Sequence, residues 1–223
     1  MQRKIIQKQR FFFNKNNEDL IVELKENGIT NNKILDSIRN VPRELFIDDN
    51  FKGLIYKNIA LPISCNQTIS QPYVVAYMID CLKLKKTDKV LEIGTGTGYQ
   101  TALLSHLCKQ VYTIEIFSEL YDQAKLNHEK LRLKNIYYML GNGENGWKEK
   151  VSFDAIIISA ATKFAPINLL KSLKINGKLI FPKKYSFENQ KLILIKKVKE
   201  NSFEQKELFD VKFVPILDED IKH

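Results

Sequence analysis

The feature that most constrains this chain is the junction where Val90-Leu91-Glu92-Ile93 runs directly into Gly94-Thr95-Gly96-Thr97-Gly98, with a helix-forming run following from Tyr99. A short apolar segment that enters a glycine loop and then a helix reads as a strand–loop–helix unit. Its glycines let the backbone turn sharply and approach a ligand at the helix N-terminus. Downstream the pattern repeats: a helix over 99–108, a strand over 111–116, a helix over 118–133, and strands over 136–140, 154–159 and 178–181. Such alternation predicts an α/β fold, a doubly wound, mostly parallel sheet covered by helices. The Ala155-Ile156-Ile157-Ile158 run suits a strand buried on both faces. Segments 191–197 and 208–214 predict two late strands forming an antiparallel C-terminal edge.

Upstream of this core, Leu20, Ile21 and Leu24 recur at helical spacing, and Gly28 stands where a left-handed terminator belongs. A second short helix carries Ile34, Leu35, Ile38 and Val41, and Pro42 closes it. Residues 1–69 are therefore expected to form a helical prelude packed on a main domain of 70–223, one compact unit overall. Ser70-Gln71-Pro72 opens a further helix, with the Ser70 hydroxyl expected at the N-cap and Val74, Val75, Met78, Ile79 and Leu82 as its buried stripe. Met1-Gln2-Arg3-Lys4 reads as a frayed arm rather than a leader. The triple Phe at 11–13 is too short for a signal core, and no run approaches the roughly 18 apolar residues of a membrane span.

Cys65, Cys81 and Cys108 are odd in number and lie in no metal-ligand spacing, so neither disulfides nor a metal site is expected, and a reducing cytoplasm is. The net charge of +9 would suit an anionic partner. Its lysines are scattered without interleaved aromatics, so neither nucleic acid nor a membrane is expected as partner. A monomer is expected.

The glycine loop also selects its ligand. A dinucleotide fingerprint needs a third glycine where Tyr99 stands, so a pyrophosphate ligand is not favoured. An acid just before the loop, Glu92, instead suits a ligand with a cationic ammonium and sulfonium. Glu115, at the end of the next strand, is placed to accept both hydroxyls of a ribose. Gly141-Asn142-Gly143 ends the strand after that, where the Asn142 amide oxygen can meet an adenine amino group. His106, His128 and His223 are read as structural or exposed, on a helix end, a polar helix face and the terminus.

These residues resemble the protein-L-isoaspartate O-methyltransferase family over about 18–217. The resemblance rests on Val41-Pro42-Arg43, on Ala60-Leu61-Pro62-Ile63, above all on Gln67-Thr68-Ile69-Ser70-Gln71-Pro72-Tyr73, on Leu91 to Gln100, on Gly146-Trp147 and on Phe213-Val214-Pro215. It implies a Rossmann-like methyltransferase fold and S-adenosyl-L-methionine as cofactor, held by Gln67, Thr68, Ile69, Glu92, Gly94, Thr95, Gly96, Gly98, Glu115, Asn142 and Gly143. It implies Ser70 as the active-site serine and Ala160 and Ala161 as the small residues that admit the substrate backbone. The substrate implied is the α-carboxylate of L-isoaspartyl residues in damaged proteins and peptides. Ser64-Cys65-Asn66 replaces the family's Gly-x-Gly; Asn tolerates a left-handed backbone and Ser does so poorly, so this loop is expected to be rebuilt. Two alternatives stand beside this reading: the same cofactor with another acceptor (a modified peptide, a small acid or RNA), and a non-catalytic isoaspartyl binder.

Overall fold

The computed structural model describes residues 17–186 and 188–217. The basic arm at 1–4, the triple Phe and His223 lie outside the described residues. Helix α1 covers 17–26 and buries Leu20, Ile21 and Leu24. It ends as expected at Gly28, whose φ of +93° lets the Gly28 and Ile29 amides turn back to the carbonyls of Lys25 and Leu24. Helix α2 (Asn32–Asn40) is capped by the Asn31 side chain, which accepts from the Lys33 amide at 3.1 Å. Pro42 then diverts the chain into a 3₁₀ turn, Arg43–Phe46.

A hairpin that the sequence did not announce follows, β1 (Leu61–Ile63) and β2 (Gln67–Ile69). The left-handed positions of its turn are Cys65 (φ 59°) and Asn66 (φ 53°), not Ser64. Helix α3 (Pro72–Leu82) begins one residue later than expected. Its N-cap is Gln71, which makes no side-chain cap hydrogen bond, and the Tyr73 amide is met instead by Asn58 Oδ1 at 2.9 Å.

The remaining elements are β3 (Lys89–Ile93), α4 (Tyr99–Ser105), β4 (Gln110–Glu115), α5 (Ser118–Lys130), β5 (Ile136–Leu140), β6 (Phe153–Ile158), α6 (Ile167–Ser172), β7 (Leu173–Lys184), β8 (Gln190–Lys199) and β9 (Ser202–Asp210). They build a seven-stranded sheet in the order β5-β4-β3-β6-β7-β8-β9. β5, β4, β3, β6 and β7 are parallel, while β8 and β9 form the antiparallel edge. This is the mostly parallel α/β sheet anticipated. Two expectations need correction. β7 runs through Pro182 rather than stopping before it, and β9 covers 202–210 rather than 208–214. β9 is an edge strand with most of its side chains exposed, so it lacks the apolar alternation that marked 208–214.

Strand alternation divides the core. Val90, Val111, Ala155, Ile157 and Ile180 face one cluster, which also holds α1 to α4. Leu91, Tyr112, Ile156, Ile158 and Phe181 face the other, covered by Leu169 of α6 and Trp147. The chain leaves β3 toward β4 and β5, then returns to place β6 on the opposite side. Ligands of open α/β sheets bind beyond the strand ends at such a reversal.

Candidate active site

A cavity of about 860 Å³, counted with its open mouth, lies at this reversal. Its floor is the loop after β3. Gly94, Gly96 and Gly98 all have positive φ, which only glycine adopts without strain. At Gly143 a Cβ would come within 2.2 Å of Ile93 Cγ2, so the loop after β5 packs against the β3 end only because it carries a glycine there.

Glu115 closes one side. Its Oε2 accepts from the Gly96 amide at 2.7 Å and its Oε1 from the Ile116 and Phe117 amides at 2.9 and 3.1 Å. Burial raises its pKa above the ordinary carboxylate value, against the pull of those amides. Among the described residues no lysine, arginine or histidine lines the cavity, and Glu115 is the one carboxylate on its wall. In a chain of net charge +9, such a wall disfavours a phosphate and accommodates a neutral or cationic ligand.

Gln67, Thr68, Ile69, Ser70, Gly94, Thr95, Gly96, Glu115, Gly143 and Ala160 all reach this wall. Four candidates do not. Gly98 sits behind the loop as the N-cap of α4. The Asn142 Oδ1 is taken by the Glu144 amide at 2.8 Å, leaving Gly141 and Gly143 on the wall. Ala161 exchanges backbone hydrogen bonds with Val214 and Ile216. Glu92 is fully buried, and its carboxylate accepts from Thr113 Oγ1 at 2.7 Å, from Thr101 Oγ1, and from Gln100 Nε2 at 2.9 Å. Burial pushes it up to about 7 despite these three donors.

Several wall residues escaped the sequence reading: Thr97, Gln100, Ser159 and the stretch Val214 to Leu217. The last is carried there by the Ala161 bridge, a contact between segments over fifty positions apart. His128, expected on a polar helix face, is buried on α5. Its Nε2 lies 2.7 Å from the Gly98 carbonyl oxygen and its Nδ1 2.8 Å from the Tyr138 hydroxyl. Beside it, Asn127 Nδ2 donates to the Thr97 carbonyl at 3.0 Å. Two adjacent α5 side chains thus hold two successive carbonyls of the glycine loop.

Neither His128 nor Asn127 lies on the cavity wall, whereas Ser70 does. With the N-cap at Gln71, its hydroxyl has no partner among the described residues, while its carbonyl accepts from Arg43 Nη2 at 3.3 Å. The buried Arg43 guanidinium also holds the carbonyls of Ile55, Lys57 and Ile59. The prelude is tied by this one side chain to the backbone of Ser70. Beyond Thr68 and Ser70 a second, open groove is lined by Tyr73, Val74, Phe209 and Phe213.

Comparisons with known proteins agree with this geometry. The family model described as protein-L-isoaspartate(D-aspartate) O-methyltransferase matches residues 14–221. The chain is 42% identical over 202 residues to the protein-L-isoaspartate O-methyltransferase of Parvibaculum lavamentivorans, covering 90% of each chain. It is 43% identical to that of Photobacterium profundum, covering 93% of this chain and 98% of the relative. Among solved structures, one protein-L-isoaspartate O-methyltransferase superposes with a TM-score of 0.84 at 27% identity, over 91% of this chain and 66% of the other. Another, from Plasmodium falciparum in complex with S-adenosyl-L-homocysteine, gives 0.79 at 25% identity, over 89% of this chain and 97% of the other. A family model spanning nearly the whole chain, with relatives more than 40% identical over about nine-tenths of it, shows that the chain belongs to the protein-L-isoaspartate(D-aspartate) O-methyltransferase family.

Proposed function

We infer that this protein is a repair methyltransferase that esterifies the α-carboxylate of L-isoaspartyl residues in damaged proteins, using S-adenosyl-L-methionine. The observation that carries the reading is the cavity wall, which among the described residues has no basic side chain and includes both Glu115 at the β4 end and Ser70. These residues fit the cofactor. Glu115 keeps one acceptor site, on Oε2, for a ribose hydroxyl, the glycines after β3 and β5 give room for a nucleoside, and Gln67, Thr68 and Ile69 are on the same wall. When bound, S-adenosylmethionine supplies an electrophilic methyl group, which a carboxylate oxygen takes to give a methyl ester and S-adenosylhomocysteine.

The protein's own part is positional. An acceptor carboxylate with a pKa near 4 is already ionised at neutral pH, so no general base is needed. The Ser70 hydroxyl, spent on no cap, is available to donate a hydrogen bond that aims the acceptor oxygen. Ala160, also on the wall, adds only a methyl, which leaves space for substrate backbone. The groove beyond Thr68 and Ser70 accommodates the flanking peptide, and the Val214 to Leu217 stretch covers the cavity against water. Holding the reacting groups in line can supply roughly 7–11 kcal/mol. Asn142 contributes through the turn that its side chain caps.

Among the described residues no helix is long and apolar enough to cross a membrane. The reading extends to a monomer working in the reducing cytoplasm, supported by free thiols at Cys65, Cys81 and Cys108. The test is methyl transfer from labelled cofactor onto isoaspartyl and aspartyl peptides of one sequence, with label counted as base-labile methanol. Label is expected on the isoaspartyl peptide alone. Equal label on both peptides, or label on RNA and on neither peptide, refutes the acceptor assignment.

A further inference from the structure

We propose that Gln100 is the residue that receives the α-ammonium group of the cofactor, held to that task by Glu92 and Ser159. The inference rests on the cofactor reading above and assigns a role to a side chain outside the glycine motif. An amide nitrogen carries two hydrogens, and both are committed here. Gln100 Nε2 donates to Glu92 Oε1 at 2.9 Å and to Ser159 Oγ at 2.8 Å. The amide plane is thereby fixed, and Oε1 has no protein partner among the described residues in a residue that lines the cavity.

Sheet order says which end of the ligand meets that oxygen. Glu115 ends β4, and Gly141 and Gly143 follow β5, so the nucleoside belongs on the β4–β5 side. Ser159 follows β6, across β3 from both. The amino-acid end of the cofactor therefore lies toward Gln100, Ser159 and Ala160. That end offers a cation and an anion. An acceptor oxygen backed by a buried carboxylate attracts the ammonium and repels the carboxylate, so the arrangement reads charge as well as hydrogen bonding. Glu92, which cannot touch the ligand, is a positioning residue: Thr101 and Thr113 hold its other oxygen, leaving Oε1 for Gln100.

The test compares two ligands by titration calorimetry on the full chain. S-adenosylhomocysteine carries the ammonium, whereas 5′-methylthioadenosine has the same nucleoside thioether without the amino-acid end. Gln100→Leu is expected to weaken S-adenosylhomocysteine by roughly 10–100-fold, the range of a hydrogen bond to a charged group, and to leave 5′-methylthioadenosine within about twofold. Glu92→Gln keeps the shape and removes the charge behind Gln100, and is compared with the wild type at about pH 8.5, where the Glu92 carboxyl held up to about 7 is ionised. It is expected to weaken S-adenosylhomocysteine several-fold and again spare the other ligand. Equal losses on both ligands in Glu92→Gln, or no loss on S-adenosylhomocysteine in either variant, overturns the proposal. A wild-type chain that binds neither ligand overturns the cofactor reading itself.

Discussion

Replacing Gly98 by alanine tests whether α5 and the glycine loop form one interlocked unit. Gly98 has a φ of +97°, and a Cβ there would lie 2.5 Å from His128 Nε2, 2.6 Å from its Cε1 and 3.1 Å from Ala124 Cβ. The left-handed backbone alone costs an alanine about 1–2 kcal/mol. The clash adds to this, because His128 is 1% exposed and pinned at both nitrogens, by the Gly98 carbonyl and the Tyr138 hydroxyl. Pushing the ring aside leaves those two groups short of a partner, at roughly 1–3 kcal/mol each. Gly98→Ala should therefore cost about 3–8 kcal/mol in the wild-type background. In a His128→Ala background the ring is gone, and the same change should cost only the backbone strain of about 1–2 kcal/mol. Urea denaturation of the four proteins of the cycle measures the difference. A Gly98→Ala cost that is equal in the two backgrounds within about 0.5 kcal/mol refutes the interlock.

Ser70→Ala should lower turnover at saturating cofactor by roughly 10–100-fold, the worth of one hydrogen bond to a charged group, and leave the S-adenosylhomocysteine dissociation constant nearly unchanged; unchanged turnover would remove Ser70 from the acceptor site. Glu92→Gln should stabilise the fold increasingly as pH rises. The buried carboxyl is held up to about 7 against an ordinary 4.5, so the folded state binds that proton more tightly than the unfolded one. The wild type then loses stability between pH 4.5 and 7, by up to about 3 kcal/mol at 1.36 kcal/mol per unit, a loss that glutamine does not share. Melting temperatures of the two proteins that run parallel from pH 4.5 to 8 would contradict it.

How far the fold could be read in advance follows from where burial makes a strand apolar. β5 falls on its expected residues, and β3 and β6 fall within one position of theirs. β3 and β6 are paired on both sides and filled with Val, Leu and Ile, so their pattern is set by the core. β9 was misplaced for the converse reason. It pairs with β8 alone, and Ser202 to Lys206 are exposed, so nothing in their side chains distinguishes strand from loop. The apolar residues at 208–214 signalled instead a segment leaving the sheet to line the two cavities. The β1–β2 hairpin was hidden by its length, three residues a strand, and by a turn built on Cys65 and Asn66 rather than on glycine.

The site was legible where its geometry is local and obscure where it depends on which face a side chain takes. Gly94, Gly96 and Glu115 were placed on the cavity because loop chemistry or a strand end announces them within a few residues, whereas Ser70 came from the family resemblance, its local pattern having suggested an N-cap that Gln71 occupies instead. Glu92 shows the limit. An acid before a glycine loop was read as meeting a cationic ligand directly, yet alternation along β3 puts Glu92 on the face of Val90, beneath α4, while Leu91 and Ile93 take the opposite face. A carboxylate on that face meets the first turn of the following helix before it meets any ligand, and positions 100 and 101 of that turn are occupied by Gln and Thr, both donors to it. The carboxylate is thus buried by the pleat of the strand, and among the donors it meets, Gln100 belongs to the cavity lining. Parity along a five-residue strand, applied to the loop motif, would have given this arrangement from the sequence; the contribution of Val214 to Leu217 would not have followed, because it depends on a backbone bridge to Ala161 that no local pattern encodes.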